Sequence, residues 1–558
     1  MKKEEKTVAR WLLEQLHAYG VRTIYGVPGD GIIYLLDELA RFEGISFFPT
    51  RHEESAAFMA VAHAKLTGEI GVCTATAGPG AGHLINGLAD GAADNVPVLA
   101  ITGQVESFYI GTWHKQYIDM VGLLNPVAEY SAQLTAPEAI LPMTVYGVRT
   151  AMARQGVSHI AIPKDLFPAP CKGTLRSPEP YLLTPSKSDE VVIDGLLPLL
   201  QQAKKPVILA GQGTIGYGDL LRRFAEHYEA PVIHTLPATG VIPHQHPLVL
   251  GALGKAGRES SAEILFQADL CIKIGATWWP SGYVPSKIPV VQIDRRADNL
   301  GGATALTYAV AGDGEKVLTK LLSRLPQQVR QDWRKSIEAA KIAWLSRYRS
   351  CLNEASPNEL NICNSNLDRS SSNTNTSPIM PQRIMEILSE KIDPQAIISV
   401  DVGDHTLWFA RSFFAKEQRV LLSGKWRSMG SALPYAIAAK NLLPQKQVVA
   451  LVGDGGFLMS LGEMVTARQE NLPIKVILFR NKTLATEENR MKVGSLIPLG
   501  NSFEPPNFDE MARACGWQAY RIDSEQALQQ ALPEALSSPE PTLLDVATNN
   551  PIPPGTKV

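Results

Sequence analysis

Cysteine is scarce in this chain: six in 558 residues, at positions 73, 171, 271, 351, 363 and 515, with no Cys-x-x-Cys pair among them. That scatter argues against a zinc site and against a disulfide framework, and it fits a reducing cytoplasm. Charge of one sign is also lacking. A net charge of −2 offers no basic field for nucleic acid, and no polybasic run suits a membrane surface. No stretch approaches the roughly 18 apolar residues that a membrane span needs. The charged start, Met1 to Lys6, runs into an amphipathic helix pattern carrying Trp11, Leu12 and Leu16, with no apolar signal core after it. What is left is a soluble globular composition, too long for one core and suited to about three or four domains. Small neutral or anionic substrates are the expected partners.

Strand-like runs such as Gly71 to Thr76 and Pro97 to Thr102 alternate with helical patterns from end to end. Such alternation predicts parallel sheets flanked by helices. A first unit, residues 1–170, closes near the run His159 to Pro163, and the Pro- and Ser-rich stretch from Phe167 to Ser188 reads as a connection. A second unit covers 189–325. Residues 355–381, with Ser370 to Ser377 at their centre, contain almost nothing that could fill a core and are expected to be an exposed linker. A third unit, 382–558, follows.

The most informative pair lies in that third unit. Asp454 stands in Gly453-Asp454-Gly455-Gly456 after the apolar run Gln447 to Val452, and Asn481 follows the run Ile474 to Phe479, 27 positions later. Both side chains then emerge at the carboxyl edge of one parallel sheet. Mg²⁺ prefers hard oxygen ligands completed by phosphate, and a glycine turn lets backbone N–H groups approach phosphate oxygens. A carboxylate, a carboxamide and that turn match the requirement, although an ordinary strand-helix-strand unit also explains the glycines alone.

Gly-Asp-Gly followed at this distance by Asn resembles the signature of the thiamine diphosphate (ThDP) enzymes. The resemblance implies Asp454, Asn481 and the backbone of Thr483 as metal ligands, with Gly453, Gly455 and Gly456 against the diphosphate. It extends over nearly the whole chain, because three α/β domains ending in the diphosphate motif is the order of the pyruvate oxidase and acetolactate synthase group. It therefore implies three doubly wound parallel-sheet domains: pyrimidine-binding, middle and diphosphate-binding.

Further matches fill in the site. Arg51-His52-Glu53-Glu54 resembles the segment holding the acid that drives the pyrimidine ring into its imino form, and so implies Glu53. The pattern alone does not choose between Glu53 and Glu54, and an acidic pair at a helix start is also what the helix dipole favours. A buried carboxyl there would hold its proton at neutral pH. Gly78-Pro79-Gly80 resembles the loop beneath the pyrimidine, and Gly111 to Gln116 the segment ending in an active-site glutamine, Gln116. In the third unit His405 would contact the diphosphate, Met429 would prop the bent cofactor, and the carbonyl of Arg427 would accept from its amino group.

The chain also departs from the family. Lys115 stands where Phe is common. Asp404 replaces a glutamine beside the phosphates, so it either turns away or recruits a cation. Leu484 to Asn489, with Glu487 and Glu488, replaces the usual acceptor-side residues. In the middle unit Gly211-Gln212-Gly213-Thr214-Ile215-Gly216 satisfies the dinucleotide fingerprint, but the next strand-like run, Pro231 to Thr235, ends without the acid that binds an NAD ribose. Gly251 to Gly254 and Gln292 to Asp294 resemble parts of the family's FAD site, whereas Gly275 to Trp279 lacks its usual arginine.

Taken together, the resemblance implies a ThDP- and Mg²⁺-dependent decarboxylation of a short 2-oxo acid such as pyruvate. The resulting enamine would be joined to a second carbonyl, as in acetolactate synthase, or oxidised through FAD, as in pyruvate oxidase. A nicotinamide oxidoreductase and a ThDP-binding protein without turnover are the other readings. A homodimer or homotetramer is implied, with Glu53 of one subunit facing the Asp454 motif of the next.

Overall fold

The computed structural model describes residues 4–177, 190–353 and 378–553. Three six-stranded sheets, parallel throughout, organise the chain. In spatial order the first comprises Ser46–Pro49, Thr23–Gly26, Gly71–Ala75, Val98–Gln104, Val157–Pro163 and Tyr130–Gln133. The middle sheet runs Val249–Ala252, Val232–His234, Pro206–Ala210, Leu270–Ile274, Val290–Asp294, Tyr308–Ala311. The last runs Arg419–Leu421, Ile397–Val400, Val448–Gly453, Lys475–Arg480, Thr542–Ala547, Gln518–Ile522. Counted along the chain within each sheet, the first and last share the order 2-1-3-4-6-5, whereas the middle follows 3-2-1-4-5-6, the dinucleotide-fold order. Every residue of Val98–Gln104 and of Val157–Pro163 is buried, as expected when helices cover both faces of a parallel sheet.

The N-terminal segment differs from its expected form. Glu4–Thr7 is a short strand that pairs antiparallel with Pro170–Gly173 before the helix Val8–Ala18 begins. The stretch after Phe167, which reads as a connection, therefore opens as a strand, with Phe167 fully buried and the Trp11 indole N–H donating to the Cys171 carbonyl at 3.1 Å. The helix Gln331–Asn353 continues past residue 325 and packs Trp333, Ile337 and Ala340 into the middle core. Residues 355–377 lie outside the described residues. From Pro378 the chain is packed, with Ile379 bridged to Thr548 and Pro381 opening a helix.

The first and last sheets are joined through one hydrophobic core. The helix Glu53–Thr67 packs against Ala432–Leu442 within that core, and both helices are rich in buried alanine: Ala56, Ala57, Ala60 and Ala64 on the first, Ala432, Ala436 and Ala439 on the second. Small side chains let the helices come close, and Phe58 and Tyr435 fill the seam edge to face, with ring centroids 5.9 Å apart. Beside them the Lys65 ammonium donates to Asp94 at 2.8 Å and to the Leu422 carbonyl at 2.8 Å, while Tyr435 donates to Asp90. Among the described residues no helix is long and apolar enough to cross a membrane.

Candidate active site

The glycine turn forms where the third strand of the last sheet ends at Gly453, and the helix Asp454–Ser460 begins at Asp454 itself. A second helix, Glu463–Gln469, follows it before the next strand. The Asp454 carboxylate is held in place by three backbone donors: Gly455 at 2.9 Å on one oxygen, and Asn481 at 3.0 Å and Lys482 at 2.7 Å on the other. Burial pushes its pKa up to about 6, which a bound cation would reverse. The Asn481 carboxamide oxygen accepts from the Thr483 N–H at 3.3 Å, and the buried Thr483 hydroxyl has no partner among the described residues. Lys482 between them takes a left-handed φ of 61°, a conformation that costs energy outside glycine and clusters at functional sites. The oxygen donor set suits Mg²⁺.

Two neighbouring segments complete this side. The first strand of the sheet leads into Asp401, which accepts from the Gly430 and Ser431 N–H groups at 3.0 and 3.2 Å and so fixes the Ser423–Gly430 loop. A methyl group on Gly456 would collide with Asp401, and one on Gly455 would sit 2.7 Å from Leu484 and 3.7 Å from the Met429 methyl. Arg427 in the same loop is again left-handed, at φ 62°. His405 stacks on Phe479, and burial holds it neutral, with a pKa near 4; its Nε2 is buried without a partner. One cavity of about 1080 Å³ is lined by His405, Arg427, Met429, Gly453, Asp454, Gly455, Gly456, Asn481 and Thr483 together. It lies between the first and third strands, the topological switch point where α/β sheets take ligands. Glycine cradle, unpartnered buried polar atoms and oxygen donors fit a diphosphate with its metal.

The remaining candidates gather elsewhere and do not line that cavity. Glu53 is the first residue of its helix, and its carboxylate receives His83 Nδ1 at 2.9 Å; a methyl on Gly80 would come within 3.1 Å of it. Gly78, at φ 64°, begins the next helix with Pro79 at its first turn, and a methyl there would stand 2.6 Å from the Gln116 carbonyl. Gln116 is exposed and left-handed, at φ 64°, and Lys115 beside it is exposed. Glu54 has a different task. It accepts from Asn86 at 2.7 Å, and Asn86 in turn holds Ser428 and Trp426 of the opposite loop.

Asp404 and Glu487 line the cavity, and so do Lys255 and Arg490, which the sequence reading did not name; it extends to Gln212, Gly213, Trp278 and Asp294 on the carboxyl edge of the middle sheet. Lys255 comes from another sheet, so no spacing along the chain could have announced it. Glu488 is tied to Lys492 at 2.6 Å and to Asn550 at 3.0 Å. The fingerprint glycines Gly211 and Gly213 are explained by packing, because a side chain on either would strike Gly275.

Comparison with known proteins gives three matches in chain order. Residues 6–123 match the N-terminal TPP binding domain of thiamine pyrophosphate enzymes, 193–321 their central domain and 401–546 their C-terminal TPP binding domain. The YdaP protein of Bacillus subtilis, named as a thiamine pyrophosphate-containing protein, is 34% identical over 98% of this chain and 92% of its own length. The acetolactate synthase large subunit of Lactococcus lactis is 32% identical over 96% of this chain and 91% of its own, and isozyme 1 of Escherichia coli 30% over 97% and 93%. The chain belongs to the thiamine pyrophosphate enzyme family, within its acetolactate synthase and pyruvate oxidase group.

Proposed function

We propose that this enzyme decarboxylates a short 2-oxo acid with ThDP and Mg²⁺ and joins the remaining two-carbon unit to a second carbonyl compound, as acetolactate synthase does. The cavity that unites Asp454, Asn481 and Thr483 with the glycine turn carries this reading. When bound, the cofactor supplies an electron sink for loss of CO₂. Asp454, the Asn481 carboxamide and the Thr483 carbonyl hold the metal, His405 and the Gly453–Gly456 turn hold the diphosphate, and Met429 and the Arg427 carbonyl orient the ring. Glu53 holds the proton on the pyrimidine nitrogen, because its carboxylate faces Gly80 while Glu54 is committed to Asn86. Gln116 lies next to the substrate.

The separation of the Glu53 group from the Asp454 cavity within one chain supports an oligomer in which two subunits complete each site. A second reading, oxidation of the two-carbon unit through FAD, is favoured by the extension of the cavity to a middle sheet of dinucleotide order. CO₂ release and product analysis with pyruvate, ThDP and Mg²⁺ separate the two. Acetolactate formed without an electron acceptor is the expected result; CO₂ released only with an acceptor, by yellow protein, would favour the flavin reading. No turnover of any short 2-oxo acid would overturn both.

A further inference from the structure

Asp404 is the residue at which this chain brings an acid to a place built for anions. It opens the nine-residue helix Asp404–Ser412 directly after Gly403 and lines the same cavity as His405 and the Gly453–Gly456 turn. One carboxyl oxygen accepts the Trp408 indole N–H at 2.6 Å, which fixes the rotamer, and the other is buried without a partner among the described residues. Beside it the unpartnered His405 Nε2 is the second such atom, so two buried polar atoms at one helix start are without hydrogen-bond partners among the described residues.

We infer that Asp404 binds the diphosphate as a carboxylic acid, donating its O–H to a phosphate oxygen, so that cofactor binding takes up a proton. This rests on the ThDP reading above. An ionised carboxylate would place like charges in contact in a buried site, which is costly, whereas the protonated form supplies the hydrogen-bond donor that a phosphate oxygen needs. Only a proton is transferred, from solvent to the carboxyl oxygen.

The surrounding charges divide on this point. The helix start favours the anion, and so do Lys255, the Trp408 N–H and the Asn489 carboxamide. Burial outweighs them and pushes the pKa up to about 7. Glu487 and Arg490, on the helix Ala485–Val493, act on Lys255 with opposite signs. His405, its chain neighbour, is neutral, and Asp401 and Asp454 are themselves raised to about 6 by burial. An incoming phosphate raises Asp404 further. Sign follows directly: the bound state holds the proton above pH 7 and the free protein does not, so affinity must fall as pH rises, by up to about tenfold per unit.

Isothermal titration of the purified full chain with ThDP and Mg²⁺, at pH 6 to 8.5 and in two buffers of different ionisation enthalpy, measures Kd and proton uptake together. Asp404→Asn is the comparison, because its amide keeps an acceptor for Trp408 and a permanent donor for phosphate; Asp404→Gln serves if that variant misfolds. Titration of the cofactor's own phosphate is common to both proteins and cancels. The wild type should take up close to one proton more than the variant at pH 8, and its Kd should rise with pH while the variant's stays nearly flat. Equal uptake in both proteins, with ThDP still bound, would overturn this inference and leave the proposed function standing. Absence of ThDP binding at every pH would remove both.

Discussion

Glu53 and Glu54 are adjacent and identical, and the sequence offers no internal reason to prefer one. The fold separates them by one residue's turn of helix, aiming Glu53 at Gly80 and His83 and Glu54 at Asn86. Glu53→Gln should lower kcat by roughly 10²–10⁴-fold, the usual worth of a positioned acid or base, with ThDP affinity within a few-fold of wild type. Glu54→Gln should leave kcat within about tenfold, since a neutral amide still accepts from Asn86. Steady-state kinetics beside titration of ThDP check both, and equal losses would sink the assignment. Asp454 and Asn481 were legible because chemistry, spacing and strand ends coincide in one stretch. Lys255 and Asp404 as neighbours were not, because their approach depends on how two sheets dock.

At the scale of the element, the glycine turn was visible in the sequence but the reason for each glycine was not. Gly453 to Gly456 suggested room for phosphate, whereas in the fold Gly456 is small because Asp401 passes against it, and Asp401 in turn holds the loop carrying Arg427 and Met429. Gly456→Ala should therefore act through that loop. Displacing Asp401 costs about 1–3 kcal/mol of overpacking, enough to weaken ThDP binding by about tenfold or more while the far-ultraviolet circular dichroism stays unchanged. Unaltered affinity would show that the loop keeps its shape without the Asp401 contacts. The first and last sheets were readable from alternating strands, but Glu4–Thr7 was not. Four polar residues carry no strand pattern until Pro170–Gly173 returns to pair with them.

Across the whole molecule, the union of the first and last sheets lies in contacts far apart in sequence. The bonds from Lys65 to Leu422 and to Tyr435 span 357 and 370 positions. Lys65→Met leaves Asp90 and Asp94 buried without their cation, a loss expected to cost about 3–5 kcal/mol. Urea unfolding should show a lower midpoint for the transition that includes these two sheets; an unchanged midpoint would mean that the alanine seam alone holds them. The shared 2-1-3-4-6-5 order has a broader consequence. Gly78–Gly80 and Gly453–Gly456 each follow the third strand of their own sheet, so the turn proposed to hold the ring and the turn proposed to hold the phosphate are the same architectural position used twice. A duplicated crevice divides one task between two copies, and each copy is then free to diverge on its own. Aspartate at 404 alters the phosphate copy and leaves Glu53 and its glycine turn as they are.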